Sequence, residues 1–266
     1  MGPALTHSFV IPAFGEARWL ERCLDSIQKQ SRASEVLVTT STPNALTASV
    51  CSQRGIRLVV NPVSEGIASD WNFALRQSRS DWVTLAHQDD WYSVDYTESI
   101  LRVAAKTENS VLVFSTATET VDGSSRPLVN PLVKRAICGA VFLGADSIAS
   151  RFRKRLLLSF GNPIPCPAVA INRHVLPQFQ FQDGWRSNLD WIAWLELANQ
   201  PGAFGYVRRS LVHRTLHLDG ATKVNLAYRK REDGLVLARL WPKPISTLLG
   251  AIYGAGRAPY ERLRTP

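Results

Sequence analysis

Residues 8–38 read SFVIPAFGEARWLERCLDSIQKQSRASEVLV, and the change of hydrophobic period inside this stretch decides the fold class. Ser8-Phe-Val-Ile11 is a short apolar run. Trp19, Leu20, Cys23, Leu24 and Ile27 then recur at helical spacing, and Glu35-Val-Leu-Val38 returns to a strand-like run. Strand, helix and strand in that order make a βαβ unit. The alternation continues through Arg57-Leu-Val-Val60, a helix from about Ile67 to Ser78 with Ile67, Trp71, Ala74 and Leu75 inward, and the strand Trp82-Val-Thr-Leu-Ala86. Strands so poor in charge belong inside a sheet covered by helices on both faces. The expected fold class is therefore α/β, with a mainly parallel sheet flanked by helices. Open sheets of this kind bind ligands beyond the carboxyl ends of their strands, so chemistry is sought just after Ile11, Val38 and Ala86.

Beyond Val111-Leu-Val-Phe114 the pattern becomes mixed, with a Gly-centred turn at Val121-Asp-Gly-Ser124 and a Pro- and Asn-rich loop from Arg126 to Pro131. The sheet is expected to be mixed there. Another helix starts near Leu189, with Trp191, Trp194, Leu195 and Ala198 on one buried face, and Pro201-Gly202 ends it. From Trp241 onward, Pro242, Pro244 and several glycines interrupt the periodicity. That predicts a C-terminal extension wrapping the body or lying on a surface.

The chain has 266 residues, enough for one large α/β domain or two small ones with a core that needs no disulfides. Hydrophobic residues at 45% and charged residues at 20% exclude a disordered chain. The longest uncharged apolar run, Ala136 to Ala145, is well short of the roughly 20 residues that span a bilayer, so a transmembrane protein is not expected. Met1 to Pro12 lacks a basic segment followed by an apolar run and a cleavage site, and a cytoplasmic location is expected. Cys23, Cys51, Cys138 and Cys166 form no CxxC pair and read as buried thiols. Lys and Arg outnumber Asp and Glu by 31 to 22, a net charge of +9 that favours polyanions, nucleotide phosphates or an anionic membrane face. The clusters Arg151-Phe-Arg-Lys-Arg155 and Tyr228-Arg-Lys-Arg231 read either as solvated helix faces or as membrane or phosphate contacts. Nucleic acid is not expected as a partner, because no helix-turn-helix, zinc or RNP-like signature accompanies the charge.

The strand Trp82 to Ala86 runs into His87-Gln88-Asp89-Asp90, an imidazole and two carboxylates at a strand's carboxyl end. Hard divalent cations take oxygen ligands, commonly one or two carboxylates together with substrate phosphates, so the pair suits a metal clamp for Mn²⁺ or Mg²⁺. Asp is also a turn former and helix cap, here before a segment such as Ser93 to Ala104.

Several motifs together resemble one family. Phe9-Val-Ile-Pro-Ala-Phe-Gly-Glu16, followed by Leu20, Leu24, Ser26 and Gln30, is similar to the opening strand, loop and helix of family 2 glycosyltransferases of the GT-A fold. Glu65-Gly-Ile-Ala-Ser-Asp-Trp-Asn-Phe-Ala74 resembles the family's second helix, and Trp82 to Asp90 its metal-binding variation on DxD. Cys166-Pro-Ala-Val-Ala-Ile-Asn-Arg173 resembles the acceptor-side strand, Leu189-Asp-Trp191 the start of the catalytic helix, and Leu211 to Thr222 the segment that closes over the diphosphate in nonprocessive members. The resemblance covers roughly residues 8 to 223 and implies an inverting transfer of a sugar from a nucleotide-diphosphate sugar.

Carried over residue by residue, the resemblance implies that Asp89 binds a divalent cation, with His217 at a position that meets metal or phosphate. It makes Asp190 the general base, and places Pro12, Phe14, Glu16, Thr39, Asp70, Asn72, His87, Gln88, Asp90 and Arg214 around the donor. On local grounds alone Asp190 also suits the first turn of a helix, and a lone histidine such as His217 is often structural. Two positions depart from the family. Thr39-Thr-Ser-Thr-Pro-Asn44 replaces the usual acidic residue after the second strand, and His87 stands where many members have Asp, although imidazole is a poor Mg²⁺ ligand. These departures motivate the alternative of a catalytically silent sugar-nucleotide binding or scaffold protein. The chain lacks the QxxRW signature of processive synthases, so addition of a single sugar to a glycan or lipid-linked acceptor is expected. The domain reading is a GT-A domain over 1–223, divided into a nucleotide-sugar half (1–110) and an acceptor half (111–223). Residues 224–266 then form an extension suited to an oligomer contact or to peripheral association with the inner face of the cell membrane.

Overall fold

The computed structural model of the protein describes residues 5–107, 109–121, 130–217 and 226–255. The first half alternates as β1 (His7–Ala13), α1 (Leu20–Gln28), β2 (Glu35–Thr40), α2 (Ala45–Gln53), β3 (Arg57–Val60), α3 (Ile67–Arg76) and β4 (Trp82–Leu85). There follow β5 (Trp91–Tyr92), α4 (Tyr96–Lys106), β6 (Ser110–Val121), α5 (Asn130–Phe142), β7 (Ser147–Ile148) and α6 (Arg151–Leu158). A 3-10 turn at Cys166–Ala168 leads into β8 (Val169–Asn172), then α7 (Leu189–Asn199), β9 (Ala203–Leu216), α8 (Leu226–Ala238) and α9 (Ile245–Ala255).

Among the described residues one sheet runs in the order β3-β2-β1-β4-β8-β6-β9-β5, with β7 also on β9. The first four strands are parallel. β8 is antiparallel to both β4 and β6, β6 and β9 are parallel, and β5 and β7 run antiparallel to β9. The mixed sheet expected after residue 111 is thus present. β1 connects to β2 on one side and pairs with β4 on the other, and such a reversal opens a crevice beyond the strand ends.

Successive strand residues point to opposite faces, and each face has its own core. Val10, Leu37, Val83, Leu85, Leu112 and Phe114 pack toward a layer that includes Leu75, Phe142, Leu158, Trp191 and Trp194. Phe9, Ile11, Val38, Trp82 and Val113 face Leu24, Ile27, Val50 and Ile100 on the other side. The central strands β1, β4 and β8 are buried on both faces for this reason, whereas β3, at the sheet edge, is only half-buried. All four cysteines are buried and free.

Three expectations change. The strand read at Val111–Phe114 belongs to the twelve-residue β6, which pairs along β9 with register shifts on either side of Thr116. The segment after Trp241 is not irregular throughout, since α9 forms there. The amides of Thr247 and Leu248 both reach the carbonyl of Pro244, so this proline stands at a helix start, where it is tolerated. The cluster Arg151–Arg155 is largely committed within the protein. Lys154 is fully buried, and its Nζ donates to the carbonyls of Gln200 (2.7 Å) and Gly202 (2.8 Å) just beyond the carboxyl end of α7. Arg153 bonds the Val141 carbonyl, and Arg151 and Arg155 both bond Asn199 Oδ1. Most of the turn expected at Val121–Ser124 and of the loop Arg126–Pro131 lies outside the described residues, as do residues 218–222 of the stretch Leu211 to Thr222. No helix among the described residues is long and apolar enough to cross a membrane.

Candidate active site

A cavity of about 1050 Å³ opens at the carboxyl ends of β1 and β4. Pro12 and Phe14 line it from the exit of β1, Asp70 from α3, and His87, Gln88, Asp89 and Asp90 from the exit of β4. Asp190 enters from the first turn of α7, and Arg214 and His217 from the end of β9. Carboxylates a hundred residues apart in sequence therefore share one space. Glu16, Thr39 and Asn72 are not among its lining residues. Glu16 is exposed and Thr39 is buried within β2. The Asn72 amide is spent on the backbone of Phe181, donating to its carbonyl (2.9 Å) and accepting from its N–H (2.8 Å).

The β4 exit folds back because the Asp90 N–H reaches the His87 carbonyl at 3.2 Å. Gln88 ties this turn to the β1 exit, accepting from Phe14 N–H (2.8 Å) and donating to the Phe14 carbonyl (3.1 Å). The acidic pair does not cap the next helix, since β5 intervenes and α4 begins only at Tyr96. Asp70 is held by Ser41 Oγ and Asn61 Nδ2, both at 2.9 Å, so a carboxylate from α3 stands beside the segment after β2 that lacks its own.

Ligand atoms of His87, Asp89 and Asp90 lie within 4.8 Å of one another. Burial raises the Asp89 carboxyl, but the hydrogen bond from His217 Nε2 (3.0 Å) and the nearby imidazoles outweigh it and leave the pKa below the ordinary value. Asp90 is pushed well above its ordinary value by burial and by the charge of Asp89, against the pull of Arg214. Two carboxylates this close share their ionisation unevenly. Burial lowers His87 to about 4, so its ring is neutral at neutral pH. Among the described residues, His87 Nε2, Asp90 Oδ2 and His217 Nδ1 are buried without a hydrogen-bond partner. Buried polar atoms are normally satisfied, and this group of orphans around two carboxylates fits a divalent cation.

Behind the cavity, Glu119 on β6 is 1% exposed and binds both Lys134 Nζ and Arg214 Nη1 at 2.9 Å. Arg214 Nε in turn lies 3.9 Å from Asp90 Oδ2. Sequence reading missed Glu119 and Lys134, although Glu119 is the one charged residue in the run Ser110–Val121 and that isolation was a visible signal. Asp190 is raised from its ordinary value by burial, partly offset by the Trp191 N–H (2.7 Å) and by Arg229, Arg214 and Lys134. A desolvated carboxylate of this kind suits a general base.

The α/β sheet thus carries an acidic cluster at its β1/β4 switch point, in one cavity with a carboxylate from a later helix. The chain belongs to glycosyl transferase family 2, whose model matches residues 8–176. The fold is also that of S. aureus TarS 1-349 in complex with UDP-GlcNAc, at TM-score 0.66 and 12% identity over 95% of this chain and 72% of that one. The mannosyltransferase PcManGT from Pyrobaculum calidifontis, in complex with GDP-Man and Mn²⁺, matches at TM-score 0.63 and 16% identity over 96% of this chain and 70% of that one. Glucosyl-3-phosphoglycerate synthase from Mycobacterium tuberculosis, in complex with Mn²⁺ and UDP-Glc, matches at TM-score 0.54 and 18% identity over 89% and 79%. No curated protein sequence matches this chain.

Proposed function

We propose that the protein transfers a single sugar, with inversion at the anomeric carbon, from a nucleoside-diphosphate sugar to a hydroxyl of a glycan or lipid-linked acceptor. The observation that carries this reading is the shared cavity, which sets the acidic turn after β4 opposite Asp190. Asp89, Asp90 and His217 would hold Mn²⁺ or Mg²⁺, with His87 beside them. Such a cation, when bound, neutralises negative charge on a diphosphate. Arg214, anchored by Glu119, donates to the same group. Phe14 offers an exposed ring at the mouth, and Asp70, fixed by Ser41 and Asn61, supplies an acceptor for nucleoside hydroxyls.

The Asp190 carboxylate takes the proton of the acceptor hydroxyl as its oxygen bonds to the anomeric carbon. The bond from that carbon to the diphosphate oxygen breaks, and the diphosphate leaves with the electron pair on the opposite face. On α9, Ile245, Leu248 and Ile252 are exposed at helical spacing beside Lys243, which supports peripheral contact with an anionic membrane surface that carries a lipid-linked acceptor. His87 in the acidic turn favours the second reading, a silent sugar-nucleotide binder.

Thermal shift with UDP and GDP, with and without Mn²⁺, followed by release of nucleoside diphosphate from UDP-GlcNAc, GDP-Man and UDP-Glc, separates the two. The expected result is Mn²⁺-dependent stabilisation and release, both lost in Asp89→Ala, with EDTA lowering activity and metal restoring it. Binding without release in every case leaves the silent reading, and full activity in metal-free buffer removes the clamp.

A further inference from the structure

The cavity's acceptor end is built by a helix beyond the family-matched residues. The loop that enters α7 is fastened to α8 at almost every residue. Glu232 is 7% exposed and takes three consecutive main-chain N–H groups: Arg186 on Oε1 at 2.8 Å, then Ser187 and Asn188 on Oε2, both at 2.9 Å. The Asn188 side chain, at the N-cap of α7, donates to Asp233 Oδ1 at 2.7 Å. Two cations over rings add to this, with the Arg239 guanidinium 5.5 Å from the Trp185 ring and that of Arg186 4.4 Å from the Tyr228 ring. Val236 and Leu237, on the next turn of α8, are fully buried in the same core as Leu189 and Trp191 of α7.

We propose that Glu232 is a positioning residue for the transfer reaction, and that α8 is part of the catalytic body rather than an appendage. The inference rests on Asp190 being the base. Asp190 follows Asn188 by two residues, so the orientation of its carboxylate is set by how the chain enters α7. A free loop of four residues fixes its own path poorly. One carboxylate that accepts three adjacent amides fixes it well, because a charged acceptor strengthens each bond and the bonds share one anchor. The same helix places Arg229, one turn before Glu232, in the cavity, where its charge acts on Asp190. Base and neighbouring cation are thus set by a single rigid element. Misplacing a reacting group by about 1 Å can cost on the order of a hundredfold in rate, whereas among the described residues Glu232 itself does not line the cavity and makes no bond to the β1 or β4 exits.

The test uses the full chain with Glu232→Gln, which keeps the volume but puts an N–H₂ against the loop amides, and with Glu232→Asp, which keeps the charge. Three quantities are read: amide hydrogen exchange at residues 186–188, kcat for nucleoside diphosphate release from the nucleotide sugar that the wild type turns over, and affinity for UDP or GDP with Mn²⁺. Glu232→Gln is expected to speed exchange and to lower kcat, each by about tenfold or more, with nucleotide affinity within about twofold. Glu232→Asp should recover part of the kcat. Unchanged exchange, or faster exchange with kcat within about twofold, overturns the proposal. So does an equal fall in kcat and nucleotide affinity, which marks a general structural role. If the wild type releases nucleotide from no donor, the transferase reading fails by itself, and exchange at 186–188 still decides whether Glu232 holds the loop.

Discussion

The two ends of the cavity are built on different principles. At the β1–β4 end most of the candidate side chains sit within a few residues of a strand terminus, Asp70 of α3 being the exception, and Gln88 links the two exits with a pair of bonds to Phe14. Sheet register brings most of those groups together, and α3 adds Asp70. At the α7 end Asp190, the proposed base, follows an irregular loop, held by a carboxylate 44 residues downstream of Asn188 and backed by Glu119, Arg214 and Lys134 from three further elements. On the proposed function, the first end binds the diphosphate and the second aims the base. Damage to the first end should therefore abolish donor binding, and damage to the second should slow chemistry while leaving binding intact.

The sharpest break in that contrast is Asp190→Asn. Removal of a general base costs about 10²–10⁴-fold in turnover, so kcat should collapse while nucleotide affinity, measured calorimetrically, stays near wild type. Equal loss of both would make Asp190 structural. In wild type, activity should fall with decreasing pH at a value above the ordinary carboxylate range, because burial raises the folded-state pKa. The same shift has a stability consequence. A raised pKa means that the ionised form costs the fold, and that cost is absent below the unfolded-state pKa and complete above the folded one. Asp190→Asn should therefore be at least as stable as wild type at neutral pH, as judged by denaturant melts.

Glu119→Gln should affect both ends, and more moderately. It leaves Lys134 and Arg214 without their shared counter-charge, and breaking a fully buried pair costs about 3–5 kcal/mol. Both cations keep 19% of their side-chain surface exposed, so the loss should lie at or below the bottom of that range. Nucleotide affinity should drop several-fold in the same variant as Arg214 loses its anchor. An unchanged melting midpoint would show that the network is not structural.

The smallest effect on chemistry is expected from Lys154→Met. Its ammonium, lowered in pKa by burial, serves the carbonyls beyond the carboxyl end of α7, at the other end of that helix from Asp190. Removing it leaves those carbonyls unsatisfied, at about 1–3 kcal/mol. Thermal unfolding should shift down with kcat retained, and a large loss of kcat would show that strain at one end of α7 reaches the other.

What was legible in the sequence follows the same division. The elements from β1 to β4 other than α2 were readable because their hydrophobic period and their turns are local, and the acidic turn after Ala86 stood out for the same reason. Glu16, Thr39 and Asn72 share those motifs yet do not line the cavity. A motif fixes backbone course better than side-chain direction, and the partner that consumes the Asn72 amide, Phe181, is 109 residues away. The long β6–β9 pair was read only as a short strand, because polar residues such as Ser115, Thr116 and Ser210 are acceptable in a strand once cross-strand bonds satisfy them. The basic cluster at Arg151–Arg155 looked like free surface charge, since nothing near it in sequence announces the carbonyls that Lys154 covers.

The order of residues by itself determined an α/β sheet, the strand ends beyond which the cavity opens, and the acidic turn that suits a cation, because each depends on neighbours a few positions apart. Only the tertiary structure decided that Asp190 shares a cavity with that turn, that Asp70 comes to stand beside the segment after β2, and that Glu232 fastens the loop before α7. Those are meetings of side chains separated by tens to more than a hundred residues. They are set by which faces of the sheet the helices cover, and a linear pattern does not specify that.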